Sequence, residues 1–258
     1  MPYELVQAYT PALFLTFIRI TAMLFAVQIL GTTMDSKWAR LMLALCLTYI
    51  LFQRDPSFVP FEGLIHLGVV ALREVILGLL LGFSIQLILV TLRLTGTLIG
   101  HEMGFSMAQV MDPTTGLNSP VMGRFFETLC FLFFLNVDGH HKIFELLGKS
   151  FDEIPVGDTW NLVAMREGLI HLVTRSIELS IRIASPVYAT LLLITTTLIV
   201  LSRAVPQIHL MDFSYALRIL FAMFGMLWFT GIMGPYIYEV FGTFFDGIGV
   251  LVVELGAL

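Results

Sequence analysis

The sequence predicts an all-α, membrane-associated protein built from long, kinked helices. Three observations predict it. Hydrophobic residues make up 57% of the chain and charged residues only 13%, whereas soluble domains are about 45–50% apolar and about 25% charged. The apolar residues fall in long runs separated by short turns containing Pro and Gly. One stretch, residues 75–92, carries no charge at all, and about 18–20 apolar residues suffice to cross the hydrocarbon of a bilayer.

Taken in order, residues 12–30 form an apolar segment with one charge, Arg19, followed by a linker carrying Asp35, Lys37 and Trp38. A short apolar run over 40–52 ends in a polar turn with Pro56 and Pro60. The third segment, 64–98, holds Arg73, Glu74 and Arg93. Residues 125–135 are apolar but too short to span alone. Residues 141–151 read as a short amphipathic helix stopped before Pro155 and Gly157. From Leu162 the pattern is helical for about forty residues, with Pro186 a kink point. The turn at 203–212 leads into a last helix over 213–245, bent at Gly231, Gly234 and Pro235, and a glycine-containing apolar tail. The two final helices form a hairpin whose arms, at about 1.5 Å per residue, exceed a bilayer core of about 30 Å.

Composition also excludes. A net charge of −5 does not suit nucleic acid, which calls for basic patches. Cys46 and Cys130 sit in apolar runs without a CxxC partner and read as packing. No Lys or Arg precedes the first apolar run, so that run is expected to be retained rather than cleaved as a signal peptide.

Charges inside apolar runs carry information. Arg19, Glu74, Arg93, Glu127, Arg182 and Arg218 would each cost at least about 2.5–3.5 kcal/mol near a bilayer centre. So many are expected to meet other subunits rather than lipid. Glu167, His171, Arg175, Glu178 and Arg182 recur at three- or four-residue steps, either as a solvated face or as a seam against another subunit.

Gly96, Gly100 and Gly104 recur at four-residue steps, and Gly78 and Gly82 precede them with the same step. On a helix they make a groove where another backbone approaches closely. Met103, Met107 and Met111 share that spacing on a different face. Residues 112–120 then read D-P-T-T-G-L-N-S-P, nearly pure turn chemistry, with Asp112, Pro113, Gly116, Leu117 and Asn118 at its heart. Irregular backbone at membrane depth is tolerated only where it is buried in protein or lines an aqueous cavity. A methionine-faced segment running into such a loop, Val110 included, has the character of a plug inside a pore.

Catalytic chemistry is not expected. His101–Glu102 begins a metalloprotease motif, but the second histidine position is Phe105. His140 and His141 follow Asp138–Gly139; adjacent helical residues project about 100° apart, so they read as a polar turn, and no metal is expected. No P-loop or G-x-S-x-G is present, so neither a nucleotide-driven enzyme nor a serine hydrolase is indicated. An intramembrane enzyme would have to use His101, Glu102, His140 or His141. A self-contained transporter or channel would call for inverted repeats with paired broken helices; the chain has one irregular segment and no repeat.

The residues resemble the FliR/SpaR family of bacterial type III secretion export-gate subunits. The likeness begins with Arg73–Glu74, Gly78 and Gly82. It is sharpest at G-H-E-M-G-F-S-M-A-Q-V-M-D-P, residues 100–113. It continues through F-L-N-V-D-G-H-H, residues 134–141, then Ser150, Pro155 and Gly157, and closes with A-S-P at 184–186 and R-A-V-P-Q at 203–207. The wording resembles the flagellar branch, although Val137 and Asp138 separate Asn136 from Gly139. The resemblance implies a FliP-like part over 1–160, with a plug loop over 106–124, and a FliQ-like helical hairpin over 161–258. It implies no enzyme activity and no cofactor. It implies a pore-forming gate subunit in the inner membrane and flagellar basal body, one copy joined to FliP and FliQ and touching FlhB and FlhA. Unfolded flagellar proteins would pass through that gate.

Overall fold

The computed structural model describes residues 2–27, 37–54, 63–103, 121–204 and 210–257. Among the described residues every regular element is an α-helix: α1 Pro2–Ala26, α2 Lys37–Arg54, α3 Leu64–Glu102, α4 Val121–Asn136, α5 Gly139–Glu153, α6 Leu162–Ala204 and α7 Leu210–Gly256. Among the described residues, three helices contain stretches long and apolar enough to cross a membrane, Tyr9–Ala26, Ile65–Glu102 and Leu162–Ala204.

Two differences from the sequence reading have physical causes. The apolar tail after residue 245 continues α7, because Ile248, Leu251, Val252 and Leu255 are buried at helical spacing; Gly247 and Gly249 masked that stripe. Pro186 lies inside α6. Its missing N–H would have served the carbonyl of Arg182, four residues earlier. The hydroxyl of Ser185 donates to that carbonyl instead, at 2.9 Å, so the helix continues through the proline.

The helices divide between two compact units. The first comprises Met1–Leu87, Asp138–Val173 and Thr243–Leu258. There α1 packs on α2, and Ala12, Leu15 and Val70 form a core with Phe52, Leu67, Ala71 and Val156 against it. Asn161 starts α6: its side-chain carbonyl accepts from the N–H groups of Val163 and Ala164, satisfying donors that a helix start leaves open. Its own N–H donates to the carbonyl of Leu255 at 3.1 Å, fixing the start of α6 to the end of α7.

The second unit comprises Ile88–Val137 and Thr174–Gly242. Ile88, Leu92, Ile99, Phe126, Phe134 and Phe241 are buried in it. Phe134 and Phe241 meet with ring centroids 6.0 Å apart. Hydroxyls in both units bond to carbonyls three or four residues back, as Thr16, Ser84 and Thr128 do. Such back-bonding satisfies a hydroxyl within its own helix, which suits helices with little water beside them.

Candidate functional site

The arrangement that bears on function is a set of close helix contacts and buried charges. Most of it was marked in the sequence as single residues and appears here as pairs.

In the first unit, Arg19 on α1 is fully buried and Glu74 on α3 is 1% exposed. They form a two-pronged ion pair, Nε to Oε2 at 2.5 Å and Nη2 to Oε1 at 3.1 Å. The remaining guanidinium nitrogen, Nη1, donates to the carbonyls of Ser150 and Ile154 at the end of α5. Glu74 Oε1 also accepts from the N–H of Gly157, whose φ of 89° suits glycine. Arg19 also lies 4.4 Å from the centroid of the Phe151 ring. One buried pair therefore ties α1, α3, the end of α5 and the turn after it. Both charges were expected to seek other subunits; the structure satisfies them within the chain.

The second unit repeats the theme with weaker burial. Arg93 on α3 and Glu127 on α4 pair through Nε and Oε2 at 2.9 Å and through Nη2 and Oε1, 45% and 28% exposed. Also in this unit, Thr91, Thr95, Ser176 and Ser180 form a buried hydroxyl knot between α3 and α6. Thr91 and Ser176 hydroxyls lie 2.9 Å apart, Ser180 donates to the Thr91 carbonyl, and Thr95 donates to the Ser180 carbonyl. Sequence reasoning passed over this knot, because hydroxyls among apolar residues carry no charge to mark them. Their four-residue spacing, 91 to 95 and 176 to 180, was the available signal.

Of the other charges singled out, Glu178 pairs with Arg175 at 3.0 Å. Arg73 and Arg218 are half-buried and Arg182 is exposed. His101 is exposed and Glu102 half-buried.

The glycines sit at close approaches. A Cβ on Gly78 would strike the Arg19 carbonyl and stand 2.8 Å from the Ala22 side chain. On Gly82 it would stand 2.5 Å from Ala26 and 2.6 Å from the Met23 carbonyl. Thus α3 meets α1 backbone to backbone. In the second unit, Gly96 would meet the Met122 carbonyl at 2.6 Å, and Gly100 the Met122 side chain at 2.9 Å, both on α4. Gly104 lies outside the described residues, as do Met107, Val110, Met111, Asp112, Pro113, Gly116, Leu117 and Asn118. Of the plug residues named from the sequence only Met103 is described: it is buried, and its N–H donates to the Ile99 carbonyl. The loop expected over 106–124 is too long at its far end, since residues 121–124 already belong to α4.

The two adjacent histidines depart from the sequence reading. Their rings do not diverge; the centroids are 4.2 Å apart and the planes tilted by 39°. Asp138, which precedes α5 with φ 55°, joins them, and ligand atoms of the three residues lie within 4.8 Å of one another. A projection by helix position alone misses this, because side-chain torsions as well as the backbone set where a ring lies.

Comparison with known proteins gives one consistent family. The model of bacterial export proteins, family 1, matches residues 10–244. The flagellar biosynthetic protein FliR of Bacillus subtilis is 30% identical over 81% of this chain and 82% of its own length. That of Escherichia coli is 26% identical over 94% and 93%. The surface presentation of antigens protein SpaR of Shigella flexneri is 28% identical over 62% and 61%.

Proposed function

The chain belongs to the bacterial export proteins of family 1, the family of FliR and SpaR, and on that premise we propose that it is a pore-forming subunit of the flagellar type III protein export gate. Family membership makes it a component of flagellar or type III export and not an enzyme. The family match over residues 10–244 is the observation that carries the finer reading.

The surface supports a role within an assembly. In the apolar 18-residue stretch of α6 only 22% of the residues are buried by their own chain, and Leu192, Leu193, Ile199, Val200 and Leu201 stand exposed along the helix. Helices of 43 and 47 residues reach about 65–70 Å at about 1.5 Å per residue, far beyond a bilayer core of about 30 Å. Such lengths suit packing against neighbouring subunits as well as lipid. In this reading the chain sits in the bacterial inner membrane, at the flagellar basal body. One copy joins FliP and FliQ and contacts FlhB and FlhA, with residues 1–160 FliP-like and 161–258 a FliQ-like hairpin. Met103, Met107 and Met111 and the turn over 112–120 close the pore at rest. Methionine suits that duty because it is apolar, unbranched and re-packs around varied side chains.

The test is genetic. Cells lacking this chain are expected to secrete no flagellar hook or filament protein and to build no flagellum, and the restored gene is expected to return both. Normal secretion and motility without it would refute the reading.

A further inference from the structure

Asp138, His140 and His141 open α5 with three side chains of metal-binding type, and their ligand atoms all lie within 4.8 Å of one another. His141 Nδ1 is 3.5 Å from Asp138 Oδ1, and the two imidazoles lie side by side. For bonds of about 2.0–2.2 Å to nitrogen or oxygen, ligand atoms around one ion stand about 3–3.5 Å apart. The Asp138 and His141 side chains are each 72% exposed and can rotate to close the difference.

Two features single out this cluster. Asp138 is the one non-glycine residue with positive φ among the described residues. It stands at the N-cap position of α5, yet its carboxylate makes no capping bond. An aspartate there ordinarily accepts from the helix's open N–H groups. Here the Asp138 main-chain carbonyl takes the N–H groups of His141 and Lys142, and the carboxylate turns to the histidines. Separately, His140 Nδ1 is buried with no hydrogen-bond partner, an arrangement that costs free energy unless it serves something. A plain surface pair between Asp138 and His141 explains neither the His140 ring alongside nor its unpartnered nitrogen. The adjacent cation is engaged elsewhere, with the Lys142 ammonium 5.6 Å from the Phe245 ring centroid.

We infer that Asp138, His140 and His141 bind one divalent transition-metal ion of the zinc type. Two imidazoles and one carboxylate without a thiolate suit zinc, nickel or copper(II) rather than magnesium or calcium, which favour all-oxygen sites. Three protein ligands leave a fourth position for water or for a group from another chain. The inference stands on these residues alone and is independent of the export reading.

The experiment uses the chain as purified from its native membrane in detergent, together with the chains that accompany it and without a polyhistidine tag, stripped with chelator and titrated with Zn²⁺ by calorimetry. Co²⁺ absorption reports the coordination. The expected result is one saturable ion per chain with an ordered cobalt spectrum. His140→Ala, His141→Ala and Asp138→Asn are each expected to weaken binding by about tenfold or more. Asparagine tolerates the left-handed backbone, so Asp138→Asn keeps the turn while removing the charge. His101→Ala is expected to bind as the unaltered chain does. If the alanine variants do not fold, His140→Gln and Asp138→Asn carry the test. Absence of saturable binding, or binding unchanged in folded variants of the cluster, would overturn the inference.

Discussion

At the scale of residues, the Arg19–Glu74 pair is the most consequential feature of the first unit. Removing one partner of a buried ion pair leaves an uncompensated charge, at a cost of about 3–5 kcal/mol. Glu74→Ala is therefore expected to destabilise strongly, because Arg19 would keep its charge with no carboxylate opposite, holding only the neutral Ser150 and Ile154 carbonyls and the Phe151 ring. Replacing both members with methionine removes both charges, so it is expected to be milder than Glu74→Ala alone. Thermal denaturation of each variant, purified in detergent with its accompanying subunits, measures this; Glu74→Ala as stable as the unaltered chain would contradict it. The charges themselves were legible in the sequence, since arginine and glutamate stand out in apolar runs. Their pairing was not, because Arg19 and Glu74 are 55 positions apart and no spacing rule links two different helices. The reading that such charges meet other subunits undervalued how well one chain can satisfy them internally.

At the scale of elements, α3 carries glycines in two environments, and substitution separates them. Gly78, Gly82 and Gly96 face backbone carbonyls, so even alanine forces a helix to move. Gly100 faces only the Met122 side chain, and alanine there is expected to be intermediate. Gly68 has nothing within 4 Å, so alanine is expected to be neutral or to stabilise by up to about 1 kcal/mol through helix propensity. Folded yield and thermal stability across this series test the order. Equal tolerance at Gly68 and Gly82 would show that no close approach exists. The four-residue glycine step was readable in advance, and so were the long helices, because periodicity and apolar run length are local properties. Boundaries were less readable where glycine diluted an apolar stripe, as at Gly247 and Gly249. The proline in α6 was visible as a breaker, but the Ser185 hydroxyl that takes the freed Arg182 carbonyl could be recognised only once the helix was seen to continue.

At the scale of the whole molecule, the proposed gate must hold ions back at rest while passing an unfolded chain when open. The methionine face and the turn over 112–120 are the proposed seal. Deleting residues 112–117, or changing Met107 and Met111 to Gly, is expected to raise ion leakage in cells holding the assembled complex, while secretion persists. An altered complex that assembles normally and leaks no more than the unaltered one would make those methionines ordinary packing. The exposed apolar length of α6 points beyond the single chain, since an apolar stretch with only 22% of its residues buried needs lipid or protein along the rest. Native-membrane purification on a small tag, with identification of every co-purifying chain, tests the central claim most directly. The expected result is this chain held stably with FliP- and FliQ-type subunits and degraded or aggregated when they are absent. A monodisperse chain, free of such partners and transporting a substrate by itself, would contradict it.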